Sequence, residues 1–336
     1  MMRAPAFWWS PTPSLAARLL QPASLVYGLV ARLRFDHSRP AKAQLPVICI
    51  GNPTAGGAGK TPTAIRIAET LKERGRKPVF LTRGYGGRLK GPVRVEPERH
   101  VSKDVGDEPL LLARHAPVIV SADRRAGAVL AARYGDIIVM DDGFQNPALA
   151  KDLSILVIDG VVGLGNGMVL PAGPLRLAAA PQFNAAQAAL VIGEDRRNAG
   201  LEAASHGLPV LRGTLGGRVP RGLRDRKLIA FSGIGRPEKF FEMLAEKKLE
   251  TVARIPFPDH HRFTVEEAQG LIAHAAREEA VLVTTEKDRL RLAGRRDGPL
   301  ATLYANTVAY PVALELDGES AEKLKGLLDA LLASGA

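Results

Sequence analysis

Leu45-Pro46-Val47-Ile48-Cys49-Ile50 runs directly into Gly51-Asn52-Pro53-Thr54-Ala55-Gly56-Gly57-Ala58-Gly59-Lys60-Thr61-Pro62-Thr63. A short apolar run bounded by glycine reads as a buried strand. A glycine-rich turn ending in Gly-Lys-Thr behind such a strand is the layout of a phosphate-binding loop. Its glycines let backbone N–H groups close on an anion, the lysine reaches the β- and γ-phosphates, and the threonine hydroxyl takes Mg²⁺. The helix expected over about residues 61–74 points its positive end at the same phosphates. ATP or a related triphosphate, with Mg²⁺, is therefore the expected ligand, held by Thr54, Ala55, Gly56, Gly57, Ala58, Gly59, Lys60 and Thr61. The strict pattern has glycine where this chain has Thr54, so the loop is a variant in which Gly56 and Gly57 supply the backbone freedom. The competing reading, a glycine-rich turn with an incidental lysine, leaves the order of strand, glycines, Lys-Thr and helix unexplained.

A second apolar run, residues 135–140, ends in Asp141-Asp142-Gly143-Phe144-Gln145. An aspartate at the C-terminal end of a neighbouring parallel strand is where phosphate-loop proteins hold or orient Mg²⁺. Two carboxylates after a strand also suit an ordinary solvated strand end; beside the loop, the metal reading is preferred, with Asp141 and Asp142 both candidates.

At 336 residues, two domains are expected, each able to bury a core. The only cysteine, Cys49, lies inside the first strand, which excludes an intramolecular disulfide and fits a reducing compartment. Seven histidines and that cysteine show no zinc-type spacing. The net charge of +11 calls for an anionic partner. Nucleic acid is not expected, because only 5% of residues are aromatic and no basic stretch is interleaved with them. Clusters such as Arg295-Arg296 and residues 221–227 read as solvated loops.

The N-terminus offers another anionic surface. Trp8 and Trp9 follow Phe7, and then come Leu15, Leu19, Leu20, Leu25, Val26, Leu29, Val30 and Leu33 with Arg3, Arg18, Arg32, Arg34 and Arg39 among them. The uncharged run 19–31 falls short of the ~18 residues that span a bilayer. An apolar helix with arginines and nearby tryptophans suits the membrane interface, with Pro22 breaking or kinking it. The alternative is a helix packed on the protein's own core.

Strands and helices alternate along the rest of the chain, which predicts an α/β fold with mostly parallel sheets. The expected organisation is a membrane-docking segment at 1–35, a P-loop NTPase-type domain at 36–211, a connection at 212–226 and a smaller α/β domain at 227–336 whose last helix returns to the first domain. Polar clusters sit where the strands end. Asp107-Glu108 opens an expected helix and suits capping, or a base and a metal-facing acid. Asp259-His260-His261 precedes another helix, where a histidine meeting an aspartate across an interdomain cleft would deprotonate a hydroxyl. Arg124 follows a strand and is placed to neutralise phosphoryl charge. Thr284-Thr285-Glu286-Lys287-Asp288 reads as an N-cap with salt bridges.

In combination these stretches resemble a known family. The phosphate loop, then Arg83-Gly84-Tyr85-Gly86, Val105-Gly106-Asp107-Glu108-Pro109, Asp141-Asp142-Gly143-Phe144-Gln145, Leu170-Pro171-Ala172-Gly173-Pro174-Leu175-Arg176, Phe231-Ser232-Gly233-Ile234-Gly235, Asp259-His260-His261 and Thr284-Thr285-Glu286-Lys287-Asp288 look like tetraacyldisaccharide 4′-kinase, the lipid A 4′-kinase of Gram-negative bacteria. The likeness runs in order over residues 10–316. It implies transfer of the γ-phosphoryl of ATP to the 4′-hydroxyl of a tetraacylated disaccharide 1-phosphate, giving lipid IVA. It also implies two α/β domains joined by a short β ribbon, with the active site between them. An N-terminal helix would dock on anionic lipid at the cytoplasmic face of the inner membrane, and no oligomer is predicted.

Carried over, the resemblance gives Lys60 the phosphates and Thr61 the Mg²⁺. Asp141, with Asp142 and Glu108, would complete the metal shell, Asp107 and His260 would form the dyad that takes the sugar proton, and Arg124 would face the moving phosphoryl group. The choice of His260 over His261 rests on family register alone. Two positions depart from the family: Asn146 stands where it has histidine, and Leu177 where it has an acid. A switch ATPase or GTPase acting on a protein or metal-delivery partner is the alternative; it has no use for Asp107, His260 or the N-terminal helix.

Overall fold

The computed structural model describes residues 4–294 and 297–334, so Arg3 and Arg295-Arg296 lie outside the described residues. Thirteen strands form two sheets among the described residues. The first sheet contains β1 (Val47–Gly51), β2 (Pro78–Thr82), β3 (Val93–Arg94), β4 (Val118–Val120), β5 (Ile137–Asp141), β6 (Leu153–Asp159), β7 (Ala188–Ile192), β8 (Val210–Gly216) and β13 (Ala313–Leu316). The second contains β9 (Leu228–Ser232), β10 (Thr251–Pro256), β11 (Val281–Thr285) and β12 (Thr307–Tyr310). Their orders are β13-β8-β7-β6-β1-β5-β2-β4-β3 and β10-β9-β11-β12.

Strands β1, β2, β4, β5, β6 and β7 are buried along their whole length. Burial on both faces is why they read as continuous apolar runs and pair in parallel. The strand period of two divides each run between layers. Ile48 and Ile50 face the layer of helix Lys60–Glu73, whereas Val47 and Cys49 face opposite packing. Burial pushes the Cys49 thiol up to about 12, which leaves it un-ionised. Only the two edge strands, β3 on β4 and β13 on β8, run antiparallel.

Two boundaries differ from expectation. Residues 212–216 of the anticipated connection continue β8, and β13, expected within the smaller domain, pairs into the first sheet, against which helix Gly318–Ser334 packs. Two glycines and Arg212 make 212–216 look like a loop, but pairing to β7 through Gly213 and to β13 over 213–216 makes it a strand. The antiparallel β8–β13 pair is thus the two-way crossing between the domains. The final helix fastens the return: Leu324, Leu328 and Leu331 join the first domain's core, and Arg74 Nε donates to Asp329 Oδ1 at 2.7 Å.

At the N-terminus, helices Leu15–Leu19 and Gln21–Asp36 meet at Leu20, and Pro22 sits in the first turn of the second, where its missing N–H costs nothing. Ser24 is the one buried residue of helix Gln21–Asp36, and its hydroxyl donates to Val169 O at 2.6 Å. Leu19, Leu25, Val26 and Leu29 stay 61–74% exposed, so the alternative of a helix buried in its own core does not describe this element. Trp8 and Trp9 do not join that exposed face. Trp8 Nε1 donates to Pro171 O at 3.0 Å, and the Trp9 ring lies against the phosphate loop at Gly56. An indole N–H removed from water needs an acceptor, and the Pro171 carbonyl, in the separate segment 170–176, offers one. No helix among the described residues is long and apolar enough to cross a membrane.

Truncating Leu328, which is fully buried, to alanine leaves a cavity between the final helix and the first sheet. The expected loss is about 2–5 kcal/mol, read as a lower urea midpoint; a neutral substitution would show that the returning helix is not part of the first domain's cooperative unit.

Candidate active site

The turn after β1 closes on itself through Asn52, whose Nδ2 donates to Thr54 O at 2.6 Å and Gly56 O at 3.0 Å. Its Oδ1 accepts from Lys60 Nζ at 3.0 Å. One buried amide therefore shapes the loop and aims the lysine. Gly59 must be glycine: its φ is +100°, and a Cβ there would come within 2.6 Å of Ile192. Thr54 is tolerated because its backbone is not left-handed; it bridges Leu175 instead. Lys60 and Thr61 then open helix Lys60–Glu73, with Thr61 buried.

Register places the acids beside this loop, since Ile50 pairs with Asp141 across β1 and β5. The adjacent carboxylates have opposite surroundings. Asp142, at a left-handed φ of 55°, accepts from Arg176 at 2.8 and 3.4 Å and lies 3.7 Å from Lys60 Nζ. Partial burial pulls its carboxyl up, but Lys60 and Arg176 outweigh that and hold it at about 2. Asp141 is buried with neither carboxylate oxygen partnered among the described residues. Burial, reinforced by the charge of Glu108, pushes its carboxyl up to about 7. A buried carboxyl without a partner is unfavourable, and a hard divalent cation bound here would supply one. Among the described residues no three His, Cys, Asp or Glu side chains form a cluster able to hold a metal by themselves. Mg²⁺ keeps waters and phosphate oxygens and takes few protein ligands, so it does not require such a cluster. Asp141, Glu108 and the Thr61 hydroxyl fit that ion; Asp142, expected as a ligand, is committed to Arg176 and Lys60.

Asp107 and Glu108 start helix Asp107–Leu112, behind Gly106 at φ 95°. Helix Glu286–Leu292 of the second domain packs on it and buries Leu290 in the first domain's core. This helix carries two cations one turn apart across the cleft. Lys287 Nζ donates to Glu108 Oε1 at 2.6 Å and to Thr61 Oγ1 at 3.2 Å. Arg291 Nε donates to Asp107 Oδ2 at 2.8 Å, and its Nη1 donates to Gly233 O and Asp288 Oδ1, both at 2.6 Å. Asp288 is in turn fixed by Ser232, Gly233 and Thr285.

The other oxygen of Asp107 faces His260: Oδ1 lies 3.5 Å from Nδ1. Burial works to raise the Asp107 carboxyl, but the His260 hydrogen bond and the charges of Arg291 and Lys287 hold it well below the usual carboxylate range. The same hydrogen bond raises the His260 imidazole above its ordinary value against the pull of burial. His260 adopts φ 55° and is pinned by its N–H to Gly233 O at 2.9 Å. His261 points elsewhere, with Nε2 on Glu267 at 2.8 Å and its ring against Phe257 and Phe263. Asp107, His260 and Arg291 line a cleft of about 830 Å³ between the domains, with Arg83, Tyr85 and Lys103 on its walls.

Arg124 is buried at the end of β4, donating to Ser121 O, while its Nε has no partner among the described residues. Burial lowers its pKa, and the charges of Asp142 and Asp141 reach it. Of the two departures from the family pattern, Asn146 accepts from Ala148 N at 2.9 Å and so closes a turn. Leu177 is buried.

Motif reading missed Arg176 as the partner of Asp142, and Lys287 and Arg291 as cations reaching across the cleft. The signal available was their i, i+4 spacing behind the Thr284-Thr285 strand end, but nothing in the sequence states which domain that face meets.

Known proteins resemble this chain in sequence and fold. A family model described as "LpxK: Tetraacyldisaccharide-1-P 4'-kinase" matches residues 16–332. The tetraacyldisaccharide 4'-kinase of Methylobacterium sp. (strain 4-46) is 50% identical over 337 residues, covering 98% of each chain. That of Rhodospirillum centenum (strain ATCC 51521 / SW) is 49% identical over 331 residues, covering 97% of this chain and 98% of its own. The crystal structure of "apo" form LpxK from Aquifex aeolicus in complex with ATP superposes with a TM-score of 0.73 at 28% identity, covering 94% of this chain and 99% of that one. By sequence over nearly its whole length and by fold, the chain belongs to the tetraacyldisaccharide-1-P 4'-kinase family.

Proposed function

We propose that the chain transfers the γ-phosphoryl group of ATP to the 4′-hydroxyl of a tetraacyldisaccharide 1-phosphate, the step that yields lipid IVA in lipid A biosynthesis. One observation carries this beyond family membership: a histidine–aspartate pair faces a cleft beside a phosphate loop and an unpartnered buried carboxylate. A switch ATPase or GTPase gives that pair no task, and the family match over residues 16–332 favours the kinase.

In this reading Lys60 and the loop amides of residues 54–61 hold the β- and γ-phosphates. Thr61, Glu108 and Asp141 would hold Mg²⁺, which when bound neutralises charge on the phosphate oxygens. The sugar hydroxyl enters the cleft and gives its proton to the Asp107–His260 dyad as its oxygen bonds to the γ-phosphorus; the bond to the bridging oxygen breaks and ADP leaves with that electron pair. Arg124 neutralises charge on the group in transit. Positioning and charge supply most of the acceleration in such transfers.

The acyl chains of the substrate require a place at the bilayer, and the exposed apolar side of helices Leu15–Leu19 and Gln21–Asp36, flanked by Arg18, Arg32 and Arg34, is suited to the headgroup boundary of an anionic leaflet. We place the enzyme peripherally on the cytoplasmic face of the inner membrane.

The first test is phosphorylation of the disaccharide lipid in detergent. Lys60→Ala, Asp107→Asn and His260→Ala are each expected to lower kcat by about 10²–10⁴-fold, with His261→Ala far milder; full activity in His260→Ala would remove the dyad. The pH profile adds a sign. The imidazole accepts the proton only when neutral, and Asp107 raises its pKa above 6.5. Activity should therefore fall as pH drops through a midpoint above 6.5, and Asp107→Asn should move that midpoint down as well as slow turnover. For the membrane, Leu25→Glu with Leu29→Glu removes two side chains worth roughly 1.5–3 kcal/mol each when buried. Sedimentation with vesicles containing anionic phospholipid should fall more than tenfold at unchanged melting temperature; unaltered sedimentation would reject the docking face.

A further inference from the structure

Lys287 belongs to the second domain, yet both hydrogen bonds of its ammonium go to the first. Its acceptors, Glu108 Oε1 and Thr61 Oγ1, are two of the three groups assigned above to Mg²⁺, and the charges of Asp107 and Asp141 add to their pull. An ordinary interdomain salt bridge needs only Glu108. Lys287 reaches further, to the hydroxyl at the head of the phosphate-loop helix, with its side chain about three-quarters covered. An ammonium and a divalent ion cannot both sit on those two oxygens, because like charges at that spacing repel strongly.

We propose that Lys287 is the resident counter-cation of the metal pocket: it neutralises Glu108 and occupies the Thr61 hydroxyl oxygen while no divalent ion is bound, and it leaves them when one enters. The inference rests on the metal assignment made under Proposed function. It ties ion entry to the second domain, because the helix Glu286–Leu292 that must shift also carries Arg291 to Asp107. Metal occupancy would thereby be communicated to the base by a rigid turn of helix rather than by a loop.

The probe is Mn²⁺ alone, without nucleotide, titrated against the full-length chain with free Mn²⁺ read by electron paramagnetic resonance. Lys287→Gln, which removes the competing charge, should bind Mn²⁺ about tenfold more tightly, a size usual for coupling between sites. Lys287→Arg should bind no more tightly than wild type, and Asp141→Asn should lose binding. If Asp141→Asn weakens binding while Lys287→Gln matches or falls below wild type, the counter-cation role is overturned and the metal assignment stands. If Asp141→Asn binds as wild type does, the metal assignment fails and the inference with it. Hydrogen exchange on wild type gives a readout independent of any variant's folding. Amides 286–292 should exchange faster once Mn²⁺ is added; unchanged or slower exchange would also overturn the proposal.

Discussion

Four carboxylates, Asp107, Glu108, Asp141 and Asp142, converge where two strand ends and a helix start meet, and balancing their charge away from water organises the site. Lys60 and Arg176 answer Asp142 from within the first domain. Lys287 and Arg291 answer Glu108 and Asp107 from the second. Asp141 alone is unanswered. Desolvating a carboxylate without a partner is expensive, so the second domain is held in place by the acids it covers, and Asp141 is left as the acid with a deficit that the proposed metal would meet.

The backbone supports this concentration of charge at modest expense. Parallel strands end together at one edge of the sheet, so the turns after β1 and β4 bring Lys60 and Arg124 towards Asp141 at the tip of β5, as open α/β sheets do generally. The second sheet faces the first with the ends of β9, β10 and β11, which supply Gly233, His260 and Lys287. Both sets of loops then enclose the cleft, and the β8–β13 ribbon is the two-way passage of the chain between them. A second ionic contact, Asp159 with Arg236 and Lys239 at 2.5 Å each, joins β6 to the second domain away from the dyad.

The phosphate loop, the α/β class, most strands and the candidate acids and histidines were legible because each is written locally. Apolar runs mark strands buried on both faces, Gly59 marks a left-handed turn, and Asp107 and His260 sit in compact polar motifs. Less legible were the elements that pairing creates. The later half of β8 looked like a linker, since its glycines and Arg212 become a strand only by pairing with β7 and β13. Trp8 and Trp9 matched an interfacial belt by composition, but in the fold Trp8 bonds the Pro171 carbonyl and Trp9 lies against the phosphate loop at Gly56.

The sequence by itself determined that a nucleotide-binding loop exists, that acids follow its neighbouring strand, and that the chain shares a kinase family's motifs in order. The tertiary structure decided which acid is free. Asp141 and Asp142 are chemically identical neighbours, and they differ only because Asp142 turns out at a left-handed φ to meet Arg176, 34 residues away, while Asp141 stays in the strand without a partner. It also decided that His260, not His261, meets Asp107. Spacing along a chain fixes residue type and local conformation; which charges meet depends on contacts between segments far apart in sequence, and these exist only after both domains have folded and docked.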